Sequence, residues 1–323
     1  MAGAGFKCSC LPKPAADLQF EKPMACNTNS SLPREKKPDW IKVRLPSDPV
    51  FWSTKGLVDD LKLHTVCEEA QCPNRWECWS SGTATFMIAG DRCTRACGFC
   101  AVKTAKPFPL EADEPQRVAE ATKRLRLKHV VITAVARDDV ADGGAEHFAQ
   151  TVLATKDANP GIVIEILVPD FNGKNDALEA CMASDPHIFN HNLETVERLT
   201  RLVRSRARYT RSLEVLKKAK KIAVSRGKNV AIKSGMMLGL GETEEEVCQA
   251  MDDLREHDVT VLTLGQYLRP SAKHLPVVEY IHPDQFVRLK SIAEEKGFRH
   301  VASGPLVRSS YHAADFKPEL DVL

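Results

Sequence analysis

At 323 residues, with 43% apolar and 27% charged, the chain can bury a sizeable core and hold an α/β barrel of about 200–250 residues plus extensions. Its net charge of +2 is too balanced to make nucleic acid the expected partner, and no apolar run approaches the ~18–20 residues of a membrane span. Eleven cysteines without the apolar core of a secretory signal read as metal ligands or reduced thiols, so a cytoplasmic protein is expected, with no nucleic acid and no membrane as partner.

Residues 1–40 are Pro-, Lys- and Ser-rich with little periodicity and read as a flexible N-terminal arm, in which Cys8, Cys10 and Cys26 are incidental thiols. An ordered extension over 41–83, introduced by Trp40 and Ile41, is predicted to carry a helix from Ser53 to Leu63. A barrel then spans 84–300. Its predicted strands are 85–90, 129–135, 162–168, 187–192, 230–238 and 259–267, with amphipathic helices over 115–127, 144–157, 211–224 and 243–257 between them. Pro115 and Thr243 supply helix-start signals. Residues 301–323 form a C-terminal extension.

Six βα units with nearly continuous apolar strands predict a parallel sheet with helices outside, a partial (β/α)6 TIM-like barrel. Polar and glycine residues follow every strand, where parallel barrels build active sites. They include Arg137-Asp-Asp through Asp142-Gly143-Gly144, Pro169-Asp-Phe-Asn172-Gly173, His191-Asn192-Leu-Glu194, Gly239-Leu-Gly241-Glu242 and Gln266-Tyr267-Leu-Arg269.

Six cysteines between Cys67 and Cys100 carry the chemistry. The first set is Cys67-x4-Cys72-x5-Cys78, in the extension, and the second is Cys93-x3-Cys97-x2-Cys100, after the first barrel strand. Three thiolates suit an iron–sulfur cubane with one iron open to another ligand. A structural zinc site would show four closed ligands, and no fourth lies near either set. Two incomplete sets point to two clusters with different tasks.

The C-x3-C-x2-C spacing resembles the signature of the radical SAM superfamily. The pairing of both sets resembles the lipoyl synthases, as do Val66-Cys-Glu-Glu-Ala-Gln-Cys-Pro-Asn, Asp142-Gly-Gly-Ala-Glu-His147, His191-Asn-Leu-Glu-Thr195, Met237-Leu-Gly-Leu-Gly-Glu242, Thr263-Leu-Gly-Gln-Tyr267 and Ser303 through Ala313. This likeness runs from about Trp40 to about Ala313. It implies a radical SAM partial barrel with two 4Fe–4S clusters and S-adenosyl-L-methionine (SAM), inserting two sulfur atoms at C6 and C8 of a protein-bound octanoyl-lysine. Cys93, Cys97 and Cys100 would hold the SAM cluster. Cys67, Cys72 and Cys78 would hold the sulfur donor, with Ser310 of Arg308-Ser309-Ser310-Tyr311 as its fourth ligand and Arg308 beside it as a catalytic candidate. A hard alkoxide among soft thiolates is the more labile bond.

The implied partners are octanoylated lipoyl carrier domains (2-oxoacid dehydrogenase E2 subunits, the glycine cleavage H protein), a ferredoxin or flavodoxin as electron donor, and an iron–sulfur carrier protein. Candidate contacts to SAM or the acyl chain are Phe99, Thr133, Asp142, Gly143, Gly144, Asn192, Glu194 and Gln266. For each, packing, a turn or a structural hydrogen bond is the competing reading. Gly239-Leu-Gly-Glu242 lacks the lysine of a phosphate loop and reads as close approach to SAM or a turn. Ala136 stands where the family often has a hydrogen-bonding side chain.

Residues 201–228 hold eleven Lys or Arg and only one acid, Glu214: a solvated face, or a docking face for an acidic carrier domain. Two other readings stay open at this point, another sulfur-inserting radical SAM enzyme and a zinc-dependent binding module.

Overall fold

The computed structural model describes residues 37–41, 49–80, 85–204, 206–311 and 313–318. The cysteines expected in the arm lie outside these residues. Trp40, at the start of the described chain, packs edge-on against His282 with ring centroids 5.1 Å apart.

Helix α1 (Pro49–Asp60) starts four residues earlier than Ser53, because Pro49 takes the first helical position, where a missing N–H costs nothing. A short strand β1 (His64–Thr65) leads into α2 (Val66–Glu69), whose first turn the Thr65 side chain caps by accepting from Glu68 N. Helix α3 (Arg75–Ser80) follows. Phe51 of α1 stacks on Trp76 at 4.2 Å and on Trp79 at 5.3 Å, and this aromatic set welds the extension together.

The barrel strands begin with β2 (Thr85–Ile88), followed by the minor pair β3 (Arg92–Cys93) and β4 (Lys103–Thr104). Helix α4 (Glu114–Arg124), strand β5 (His129–Ala134), helix α5 (Ala145–Ala158), strand β6 (Val163–Leu167), helix α6 (Asn175–Ala183) and strand β7 (Ile188–Asn190) come next. Helices α7 (Glu197–Val203) and α8 (Tyr209–Ser225), strand β8 (Ala231–Leu238), helix α9 (Glu244–Glu256), strand β9 (Val261–Gln266), helix α10 (Pro283–Glu295) and strand β10 (His300–Gly304) complete it. Thr243 caps α9 through a reciprocal capping box with Glu246.

The main sheet runs β1-β2-β5-β6-β7-β8-β9-β10, parallel throughout except for β1, which pairs antiparallel with β2. All six expected strands are present. The sheet also runs past the expected boundary at residue 300, because β10 pairs parallel with β9 from His300↔Val261 to Gly304↔Gly265. That segment, His-Val-Ala-Ser-Gly, is short and small-residued, so its strand character comes from its partner rather than from its own pattern.

Side chains alternate across the sheet. Phe86, Ile88, Val130, Ile132, Ile164, Ile166, Leu262 and Leu264 join the core between sheet and helices. The opposite, concave face therefore carries Thr85, Met87, Val131, Thr133, Glu165, Lys233, Gly235, Thr263 and Gly265. A closed barrel fills this space with layers of Val, Ile and Leu. Here polar and small residues share it with Met87, Val131, Ile188 and Val261, which leaves polar groups available on the inner face.

Candidate active site

The two cysteine sets lie at opposite ends of β2. Cys93 follows its C-terminal end, whereas the first set surrounds its N-terminal residue, Thr85. Four strand residues span roughly 10 Å at about 3.3 Å per residue, so the sets are separated by the depth of the sheet.

Backbone groups supply one part of the hold on the loop of Cys93, Cys97 and Cys100. Cys93 Sγ accepts from Arg95 N at 3.4 Å and Ala136 N at 3.3 Å. Thr94 N donates to Ala136 O at 3.1 Å, so Ala136 serves this loop through its main chain and needs no polar side chain. Gly98 N donates to Val203 O and Gly98 O accepts from Leu275 N, both at 2.9 Å. Burial pushes the thiols of Cys97 and Cys100 up to about 11 and about 12, the nearby Arg204 opposing this at Cys97.

Arg95, inside this loop, was not singled out by sequence, and nothing local marks it. Its buried guanidinium binds Asp138 at 2.8 Å and Asp170 at 2.7 Å, with Asn172 Oδ1 at 3.0 Å. Asp138 also accepts from Thr94 Oγ1 at 3.0 Å. The cysteine loop is thus clamped to the loops after β5 and β6 by charge-assisted bonds.

The other strand-end candidates divide. Asn192 Nδ2 donates to Glu194 Oε1 at 3.1 Å and to Ser309 Oγ at 2.7 Å, while Asn192 Oδ1 is buried without a partner among the described residues. Burial drives the Glu194 carboxyl up, with Arg204 pulling the other way. An orphaned acceptor beside a buried carboxyl suits a ligand that brings N–H or O–H groups. Phe99 is partly buried against the core.

Thr133 Oγ1 donates to Leu167 O at 2.8 Å. Asp142 accepts from Gly144 N and Glu146 N; burial works against its charge, but these bonds hold its carboxyl below the usual range, at the start of α5. Gly143 and Gly144 both have positive φ there, as a tight loop-to-helix turn requires. Gln266 donates to the carbonyls of Leu238, Tyr267 and Glu279 and accepts from Ile281 N, so its amide is committed to backbone. A Cβ on Gly239 would lie 2.3 Å from Glu279 O. The close approach at Gly239-Leu-Gly-Glu242 is thus made by the 277–281 segment, and Glu242 closes the turn by accepting from Leu240 N.

At the other end of β2, Cys67, Cys72, Cys78 and Ser310 line one cavity of about 310 Å³, together with Thr85, Arg308, Tyr311 and His129. Cys72 N donates to Cys67 O and Cys78 N to Asn74 O, while Asn74 Nδ2 reaches Leu306 O at 2.6 Å and joins the two extensions. Gly265 of β9 lets the Arg308 segment lie against the sheet, since a Cβ there would meet Val307 O at 2.1 Å. Burial pushes the Cys67 thiol up to about 11 and lowers the Arg308 guanidinium, which the Cys72 thiol partly offsets. Ser310 faces this cavity, whereas Ser309 bonds Asn192.

Among the described residues, no group of three His, Cys, Asp or Glu side chains is gathered tightly enough for a single metal ion. The first cysteine set instead rings a space, and soft thiolates around a cavity of this size fit an iron–sulfur cubane rather than one zinc. No helix among these residues is long and apolar enough to cross a membrane.

An open parallel barrel with C-x3-C-x2-C on its first βα loop defines the radical SAM class, and residues 87–254 match the Radical SAM superfamily model. Crystal structures of Streptococcus suis SuiB bound to S-adenosylmethionine (14% identical, TM-score 0.52, 71% of this chain and 54% of that one) and of HydG, a maturase of the FeFe-hydrogenase (14%, 0.51, 84% and 64%), share this fold. Residues 11–72 match the N-terminal domain of lipoyl synthase. Lipoyl synthase of Oceanobacillus iheyensis is 57% identical over 86% of this chain and 88% of its own length. The mitochondrial lipoyl synthase of Nematostella vectensis is 52% identical over 87% and 95%. The chain belongs to the lipoyl synthase family.

Proposed function

We propose that this protein inserts two sulfur atoms, at C6 and C8, into a protein-bound octanoyl-lysine to form the lipoyl cofactor, working in the reducing cytoplasm. The observation that carries the reading is the presence of two three-cysteine sets at the two ends of one strand, one of them sharing a cavity with Ser310.

Cys93, Cys97 and Cys100 would hold one 4Fe–4S cluster and SAM; Cys67, Cys72, Cys78 and Ser310 would hold the other. When bound, these groups supply reductive sulfonium cleavage for hydrogen abstraction, and sulfur for the carbon centres so opened. The chain's own part is placement. Arg95, clamped by Asp138 and Asp170, fixes the loop on which SAM would sit. Asn192 and Glu194 offer polar atoms on the concave face between the two ends. Arg308 presents a cation to the second thiolate set, lowering the cost of gathering negative charge in a buried space.

The substrate arrives on a carrier domain, an E2 lipoyl domain or an H protein. Its docking face would be the rim formed by exposed Leu202 and Arg206, which adjoins the cysteine loop through the Val203–Gly98 bond. A ferredoxin or flavodoxin would supply electrons, and an iron–sulfur carrier would rebuild the second cluster.

The test is a single-turnover assay of anaerobically reconstituted protein with SAM, dithionite and an octanoyl-lysine peptide. The expected product gains two sulfurs as the dithiol, losing two hydrogens only on oxidation to the cyclic disulfide, alongside 5′-deoxyadenosine. SAM cleavage with an unmodified peptide rejects the substrate; no cleavage by cluster-loaded protein rejects the activity.

A further inference from the structure

Thr85 opens β2 and is 6% exposed, and it faces the cavity ringed by Cys67, Cys72, Cys78 and Ser310. Its Oγ1 lies 2.8 Å from Ser310 Oγ. Against the burial that raises the Cys67 thiol, the Thr85 backbone N–H favours the thiolate. One residue therefore touches a candidate ligand from the N-terminal extension and another from the C-terminal one. Pairing with Val131 of β5 on one side and with the β1 edge on the other fixes β2, so Thr85 is held by the sheet rather than by the site.

We propose that Thr85 is a positioning residue of this cavity, donating its hydroxyl proton to Ser310 Oγ and thereby setting how firmly that oxygen is retained as a ligand. The proposal rests on the reading of Ser310 as a cluster ligand. A serine that binds iron gives up its own proton and can then only accept. The Thr85 hydroxyl, a donor at hydrogen-bond distance, is then matched to it, and a bond to a charged acceptor is roughly twice as strong as a neutral one. Partners of this kind orient a ligand and tune its hold on the metal. Thr85 is thus the counterpart, at this cavity, of the backbone N–H groups that bond Cys93.

The experiment uses the full chain with Cys93, Cys97 and Cys100 replaced by Ala, so that only the cavity set is loaded. Iron and sulfide content, the Mössbauer spectrum and the rate of iron extraction by a chelator are compared for Thr85→Val, Thr85→Ser and Ser310→Ala. Thr85→Val keeps the shape and removes the donor. It is expected to take up iron, to change the signature of the unique iron site, and to lose iron roughly 10–100-fold faster. Thr85→Ser restores the hydroxyl and is expected to restore both properties. An unchanged spectrum and extraction rate in Thr85→Val overturns the proposal, as does failure of Thr85→Ser to rescue. An unchanged Ser310→Ala overturns the serine reading itself, and the proposal with it.

Discussion

The Arg95 guanidinium lies 2.7 Å from the carboxylate of Asp170, so a residue between Cys93 and Cys97 is anchored to the loop that follows β6. Asp170 is fully buried and is bonded at 3.1 Å by Arg211 as well. Burial alone would raise its carboxyl; the Arg95 charge overrides that and holds it at about 2. A depressed carboxyl contributes stability above its unfolded value near 3.9, lost as pH falls through about 2. Acid titration of the wild type should lose on the order of 2 kcal/mol over that window. Asp170→Asn should lack this component and be less stable by about 3 kcal/mol at neutral pH. Denaturant melts at pH 2–7 check both; equal acid dependence in the two proteins refutes the clamp.

Replacing Cys93, Cys97 or Cys100 by Ala should abolish 5′-deoxyadenosine formation. Replacing Cys67, Cys72 or Cys78 should leave SAM cleavage and remove the lipoyl product. A cavity-set variant that still makes product would break the division of labour between the two ends of β2.

The adjacent serines are predicted to part company. Ser310→Ala should spare SAM cleavage and block sulfur insertion, because Ser310 lines the cysteine cavity. Ser309→Ala removes the acceptor of Asn192 Nδ2 and should act at the SAM side. A cost of about 1–3 kcal/mol for the stranded donor would appear as weaker SAM binding by calorimetry. Interchanged phenotypes would move the ligand to Ser309.

The cluster-free protein should be pH-sensitive on the alkaline side. Burial raises Cys67 and Cys97 to about 11 and Cys100 to about 12. Thiols raised above their unfolded value, about 8.5, contribute stability below it that is lost as pH climbs toward 11–12. Melting temperature of the iron-free chain should therefore fall between pH 8 and 10. Reconstituted protein, whose thiols would already have lost their protons to solvent on binding iron, should resist the same change.

Reversing charge at Arg206 together with Leu202→Asp should raise KM for an intact carrier protein at least several-fold at low salt while leaving KM for an octanoyl-lysine peptide alone. The effect should fade as ionic strength rises. Equal losses on both substrates would put these residues in the site rather than on its rim.

Much of this was legible because its signal is local. The cysteine sets declare themselves by spacing, and β5, β6 and β9 by unbroken apolar runs. What escaped is long-range. Arg95 finds Asp138 and Asp170 only after two βα units have folded, and β10 borrows its register from β9. Gln266 read as a ligand contact because polar residues at strand ends often are. Its amide is instead filled by Glu279 and Ile281, from a segment whose return over β9 no pattern in the chain announces. Ser310 was reached through resemblance to a family, since a Ser-Ser pair alone marks only a turn.

The contact between Thr85 and Ser310 joins positions 225 residues apart. In the folded chain it depends on the sheet out to β10 and on the Arg308 segment lying over Gly265. The cavity therefore draws its lining from both ends of the chain. A chain cut short before Arg308 would keep all six cysteines yet lack the arginine, serine and tyrosine that line this cavity, leaving three thiols in place of a complete lining.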